Sequence, residues 1–187
     1  MELLIGIAGR KEVGKDTVAA PIAGAFGLTR YAFAHPITTA CAAALGISHS
    51  QFLLLEKNDF IRSIALTKRD FMCAMGDVLI GANPYFLINN LNERIATNRT
   101  IPPKDNGHCI TDVRTEREAQ WVRMQGGIVI HVTNPLAAQN TQHRTEVDLA
   151  VAPGDYVISN KSSLLDLQEK IEQLITDIMQ THVEATA

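Results

Sequence analysis

The sequence predicts an α/β domain in which a five-stranded parallel sheet, doubly wound, is covered by helices on both faces. Three observations carry that expectation. Short apolar runs alternate with stretches of helical periodicity along most of the chain, the alternation that builds a parallel sheet through crossover helices. The first run, Leu3-Leu4-Ile5-Gly6-Ile7-Ala8, flows straight into Gly-x4-Gly-Lys, from Gly9 to Lys15, and then into a helical segment. A later run ends in Asp112-Val113-Arg114, charged residues at the carboxyl end of a strand, where open parallel sheets meet their ligands.

The first run is rich in isoleucine and leucine and reads as a strand buried on both faces. A strand, a Gly-rich loop and a helix in succession point several backbone N–H groups inward and add the positive end of the helix dipole, as a phosphate-binding loop requires. Gly9 and Gly14 allow backbone angles and a close approach that a side chain would block. Lys15 reaches the β- and γ-phosphates as a point charge, with Lys11 as a secondary cation. The residue after such a lysine is normally a hydroxyl that binds Mg²⁺; here it is Asp16, followed by Thr17. A carboxylate beside phosphates is repulsive unless a cation lies between them. Asp16 is therefore a Mg²⁺ contact, direct or through water, or a group turned toward a second substrate, and Thr17 can still donate to a phosphate.

Val18 to Phe26 reads as a helix that Pro21 should kink or weaken, stopped by Gly27. Arg30 to Ala34 is the second strand. His35-Pro36 opens the next helix, with Ile37, Ala40, Cys41, Ala44 and Leu45 on its core face and Gly46 as its stop. His35, where strand meets helix, is a ligand contact or a capping histidine. From Ser48 to Thr100 the pattern is helical, with no strand. Ser50 to Leu66 carries Phe52, Leu53, Leu54, Leu55, Phe60, Ile61 and Ile64, and Thr67 reads as an N-cap. Asn83-Pro84 then signals one more helix start. This block, about 48–100, is expected to cover an acceptor site as an insert in a single domain spanning 1–187. Arg62, Lys68 and Arg69 are its cations, and Arg69, one turn before a buried face, is the strongest candidate.

Pro102 to Gly107 is a loop by composition, and His108 to Thr111 a strand. Asp112 can hold a Mg²⁺ water shell or orient the attacking phosphate, and Arg114 can clamp a phosphate bidentately; the plainer reading is an N-cap and a surface arginine. Thr115 to Gln125 is helical and carries Glu118. Ile128 to Val132 is a strand in which His131 reads as packed. Residues 134–147 have no periodicity; in a phosphotransferase a loop of that length is expected to be a lid that excludes water and brings Arg144 to the nucleotide, and the plainer reading is an exposed surface loop. Tyr156 to Ser159 is the last strand. Ser162 or Ser163 caps a long final helix whose inner face carries Leu164, Leu167, Ile171, Leu174, Ile175 and Ile178.

A length of 187 residues suffices for one domain with a proper core. The net charge of −3, without a basic run, argues against a nucleic-acid polymer as partner and for a small ligand met by a few placed cations. Cys41, Cys73 and Cys109 are isolated, so neither a disulfide framework nor a thiolate metal site is expected. The N-terminal apolar run is too short for a signal peptide and no stretch is long enough to span a membrane, so a cytoplasmic location is expected.

Gly14-Lys15-Asp16-Thr17, Phe33-Ala34-His35-Pro36, Asp112-Val113-Arg114 with Glu118, and Gly126-Gly127-Ile128-Val129-Ile130-His131-Val132 resemble the phage-type deoxynucleoside monophosphate kinase family. So do His143-x-Thr145-Glu146 and Gly154-Asp155-Tyr156-Val157-Ile158-Ser159-Asn160. The resemblance spans most of the chain. It implies the three-layer P-loop kinase fold, and transfer of the γ-phosphoryl group of MgATP to a deoxynucleoside 5′-monophosphate. Residues and resemblance together give the candidate site. Lys15, Asp16, Asp112 and Arg114 are its catalytic groups. Gly9, Lys11, Gly14, Lys15, Asp16, Thr17 and Arg144 hold ATP, with Asp16 and Thr17 toward Mg²⁺. His35, Arg69, Arg114, Glu118, His143 and Glu146 meet the acceptor. The sequence departs from the family pattern at His35, often aspartate, Thr38, often lysine, Cys73, often glutamine, and Asn134, often arginine; these bear on base selectivity more than on reaction type. The sequence is compatible with a homodimer, and the cytoplasm would be the host's if a phage encodes the chain. Two alternatives stay open: a dephospho-coenzyme A kinase, in which Asp112 or Asp16 acts as general base, and a nucleotide-binding module that switches shape without transfer.

Overall fold

A computed structural model of the chain describes residues 2–98, 106–135 and 149–184, the last three of these as backbone alone. The contacts divide into two compact units, residues 1–32 with 101–187 and residues 33–100.

In the first unit, five strands form one parallel sheet: β1 (Leu3–Ala8), β2 (Thr29–Tyr31), β5 (Gly107–Val113), β6 (Ile128–Thr133) and β7 (Tyr156–Ser159), in the spatial order β2-β5-β1-β6-β7. Every residue of β1 is buried, as its unbroken apolar run requires. One face packs on α1 (Lys15–Phe26) and α7 (Leu164–Glu184), where Ile5, Ile7, Val18, Ile22, Ile130, Val132, Leu167, Ile171 and Ile178 share a core. The other face packs on α6 (Glu116–Met124), whose Val122 lies against Gly6. This is the three-layer, doubly wound architecture expected from the alternation of runs.

The helix α1 continues across Pro21, which lies on its exposed side, so the proline does not end it. The second strand is shorter than expected and ends at Tyr31. Ser163 is the cap of α7, its hydroxyl accepting from the Asp166 N–H at 3.2 Å.

The second unit holds α2 (His35–Ala44), α3 (His49–Leu54), α4 (Lys68–Ala82) and α5 (Phe86–Asn98). Its start corrects the sequence reading. The expected helix over Ser50–Leu66 stops at Leu54, and a small antiparallel pair follows, β3 (Phe60–Ile61) and β4 (Leu66–Thr67). Just past the helix end the Asp59 carboxylate accepts from the Glu56 N–H at 2.6 Å, and Ala65 takes a left-handed conformation (φ 54°) in the turn between β3 and β4. Lys68 is almost fully buried, and its ammonium donates to the Leu55 carbonyl at 2.6 Å. It thereby caps the end of α3 and lies over the Phe52 ring. Burial lowers its pKa, the Glu56 carboxylate opposing. Thr67 caps α4 as expected, accepting from the Asp70 N–H at 3.1 Å. No single helix among the described residues is long and apolar enough to cross a membrane.

Candidate active site

The loop between β1 and α1 is built from backbone angles that few residues allow. Gly9 has φ 145°, and a Cβ there would lie 2.4 Å from the Val132 carbonyl oxygen. Gly14 has φ 94° and stands at the N-cap of α1 with no side chain to close the helix end. The first turn of α1 therefore presents its unpaired N–H groups to whatever the loop receives. Lys15, the first residue of the helix, folds back so that its ammonium donates to the carbonyls of Gly9 (2.7 Å) and Arg10 (2.6 Å). Its charge is thus held over the loop. Lys11 pairs with Glu12 at 2.9 Å, and Glu12 takes a left-handed conformation (φ 63°). Asp16 and Thr17 are exposed on the first turn of α1, and neither makes a side-chain hydrogen bond or ion pair with a described residue.

Asp112 and Arg114 lie beside this loop because of the strand register. Val113 is the parallel partner of Ala8, the residue before Gly9. The register slips between Gly6 and Ala8, so that β5 spends one more residue than β1 over the same span. Such a bulge re-aims the residues around it, here Thr111 and Asp112. On the other side of β1, His131 of β6 is the partner of Ala8. Asp112, Arg114 and the glycine loop therefore lie together at the carboxyl end of the sheet.

The turn after Val113 is braced from within. Thr115 and Glu118 form a capping box on α6. The Glu118 carboxylate, buried at 6% exposure, accepts from the N–H groups of Arg114 (2.7 Å) and Thr115 (2.9 Å). Burial pushes the Glu118 carboxyl up to about 7; the Arg114 N–H pulls the other way and the Asp112 carboxylate adds to the rise. A raised carboxyl contributes stability that is complete below its unfolded value near 4.5 and is lost as pH rises through about 7. Glu118→Gln keeps an acceptor oxygen for both N–H groups and never ionises. The variant should match the parent in unfolding free energy, read from urea denaturation, below pH 5 and exceed it at pH 8 by on the order of 2 kcal/mol. A gap of equal size at both pH values would show the carboxyl to be unshifted.

In the second unit, His35 is half-buried at the start of α2, its ring edge-on to that of His49 at 4.8 Å. The single hydroxyl proton of Thr38 goes to the His35 carbonyl at 2.9 Å, so Thr38 accepts from His49 Nε2 at 2.8 Å and fixes that tautomer. Burial lowers the pKa of His35, with Arg94 and His49 adding to the effect. His35 is thus a neutral imidazole at pH 7. Arg69 is half-buried on the first turn of α4, its backbone N–H bonded to the Lys57 carbonyl and its side chain without a hydrogen bond or ion pair to a described residue. Arg144, His143 and Glu146 lie outside the described residues, as does the expected lid beyond Pro135.

Sequence reasoning did not consider Arg94, whose charge acts on His35. It also missed Asp155. That carboxylate accepts from Arg123 Nη2 (2.7 Å), His131 Nε2 (2.8 Å) and the Ala152 N–H (2.9 Å). Among the described residues no cluster of three or more His, Cys, Asp or Glu side chains could cage a metal.

The family model described as deoxynucleotide monophosphate kinase matches residues 57–171. The deoxynucleotide monophosphate kinase of Enterobacteria phage T4 is 25% identical over 236 residues, covering 92% of this chain and 98% of that protein. That of Escherichia phage RB69 is 26% identical over 242 residues, covering 92% and 99%. Among solved structures, a dephospho-CoA kinase from Campylobacter jejuni aligns with a TM-score of 0.51 at 14% identity, covering 97% of this chain and 100% of that one. At that identity the likeness concerns the fold alone.

Proposed function

Because this chain belongs to the deoxynucleotide monophosphate kinase family and is thereby a phosphotransferase, we propose that it transfers the γ-phosphoryl group of MgATP to a deoxynucleoside 5′-monophosphate, giving the diphosphate and ADP. The observation that carries this reading is the pairing of Val113 with Ala8, which sets Asp112 and Arg114 beside the glycine loop. That end of the sheet then offers a polyphosphate cradle and an arginine for a second anion.

In the reaction, an oxygen of the acceptor phosphate forms the new P–O bond as the bond between the γ-phosphorus and the β–γ bridging oxygen breaks. The acceptor is already a nucleophile, so catalysis is positioning and charge neutralisation. Gly9, Gly14 and the first N–H groups of α1 cradle the donor phosphates. Lys15 exchanges its loop carbonyls for phosphate oxygens, with Lys11 and Arg144 as further cations. Arg114 and Arg69 hold the acceptor phosphate in line, and Glu118 keeps the Arg114 turn in place. His35, neutral, hydrogen-bonds the acceptor nucleoside, and His143 and Glu146 are further candidates for contact with it. Asp112 orients the attacking group. Asp16 and Thr17, exposed on the first turn of α1, suit Mg²⁺, which keeps most of its water and binds through one or two protein groups and the substrate phosphates. When bound, the ion neutralises charge on the β- and γ-oxygens.

ADP release measured over the four deoxynucleoside monophosphates, their ribonucleotide counterparts and dephospho-coenzyme A tests this directly. At least one deoxynucleoside monophosphate should outpace every ribonucleotide and dephospho-coenzyme A. Release with dephospho-coenzyme A alone would make the chain a kinase of that hydroxyl acceptor. ATP binding without release for any acceptor would make it a binding module.

A further inference from the structure

We infer that Asn160 is a positioning residue for the phosphate-binding loop, fixing the Val13–Gly14 peptide in the orientation that receives a polyphosphate. This inference rests on the loop's role proposed above, and no role has so far been given to Asn160.

Asn160 directly follows β7, and its backbone N–H donates to the Thr133 carbonyl at 2.8 Å. That bond adds a rung to the β6–β7 ladder, so the main chain of Asn160 is fixed by the sheet. Its side-chain amide then crosses to the loop, where Nδ2 donates to the Val13 carbonyl at 3.0 Å. The Val13 side chain is buried at 3% exposure, which pins the other side of that peptide. In a planar trans peptide, carbonyl and N–H point in opposite directions. With the Val13 carbonyl turned to Asn160, the Gly14 N–H is turned away from it, as an anion-binding amide in the loop must be.

Gly14 belongs to the same device. A Cβ at Gly14 would lie 2.5 Å from Asn160 Nδ2, so the missing side chain is required by the amide as well as by the positive φ. The Asn160 side chain makes no other hydrogen bond with a described residue. One neutral hydrogen bond on a half-buried side chain contributes about 1 kcal/mol to stability. The effect of losing it falls on the shape of the loop more than on the fold.

The test is Asn160→Ala in the full-length chain, with KM for ATP, KM for the best deoxynucleoside monophosphate and melting temperature measured side by side. ATP binding is also measured by calorimetry on parent and variant. KM and Kd for ATP should each rise about tenfold, KM for the monophosphate should stay within twofold, and the melting temperature should fall by less than about 4 °C. A purely structural amide would move both KM values together or neither, and either result overturns the inference. A parent that binds ATP as tightly as the variant overturns this inference alone. A parent that binds no ATP overturns the loop's role as well.

Discussion

Lys15→Ala should slow phosphoryl transfer by on the order of 10²- to 10³-fold while the melting temperature stays within about 3 °C of the parent. The two halves of this expectation come from different parts of the structure. The Lys15 ammonium donates to the Gly9 and Arg10 carbonyls, on a side chain only partly withdrawn from solvent. Water can replace it there at a small cost in stability. Without it, charge that builds on the transferring phosphoryl group loses a counter-charge that the loop carbonyls hold in place. The loss should appear in kcat more than in the KM for ATP, because that charge grows toward the transition state. Lys15→Arg keeps the charge but presents a planar fork to a pair of carbonyls that hold a compact ammonium. It should recover only part of the rate. A Lys15→Ala enzyme within fivefold of the parent would remove this residue from the chemistry. A fall in activity matched by unfolding would assign it to the fold.

The loop was legible in the sequence because its physics is local. A buried strand, two glycines at a fixed spacing and a lysine opening a helix act within fifteen residues, and the register that sets Asp112 and Arg114 beside them follows from parallel pairing of β1 with β5. The Thr67 cap was legible for the same reason. The helix expected over Ser50–Leu66 failed because apolar residues at close spacing fit a helix and an exposed hairpin alike. The turns past the helix end hold the Asp59 carboxylate and a left-handed alanine, neither of which announces itself by composition. Thr115-x-x-Glu118 could have been read as a capping box by spacing alone, yet only the structure shows that the same carboxylate reaches the Arg114 N–H. Asn160 and Val13 are 147 residues apart, and His131 and Asp155 24 apart. Such partners are chosen by the finished sheet, and no local pattern carries them.

Asp155→Ala should destabilise the chain by about 3 kcal/mol or more, a fall of roughly 6–12 °C in melting temperature for a chain of this length. The Asp155 side chain is 2% exposed and accepts from Arg123 through Nε (3.2 Å) and Nη2 (2.7 Å), from His131 and from the Ala152 N–H. Arg123, 20% exposed, also pairs with Glu116 at 2.8 Å and donates to the Ala150 carbonyl at 3.0 Å. Burial alone would raise the pKa of Asp155, but the bonds from Arg123, Ala152 and His131 outweigh it and hold the carboxyl below its usual value. A lowered carboxyl contributes stability that is present above about pH 4 and lost as pH falls through its folded pKa. Asp155→Asn should therefore lack that acid loss while costing less than alanine near neutrality, because an acceptor oxygen remains. Alanine leaves a withdrawn guanidinium with only Glu116 and the Ala150 carbonyl, and His131, at 6% side-chain exposure, with no carboxylate. The cost is that of stranding charge, and it exceeds the net worth of the pair. The double variant Arg123→Met/Asp155→Leu should then be more stable than Asp155→Ala by at least 1 kcal/mol, read from urea denaturation at pH 7. A double variant less stable than the single one would mean that the network holds residues 149–155 against α6 and β6 by bonds that packing cannot replace.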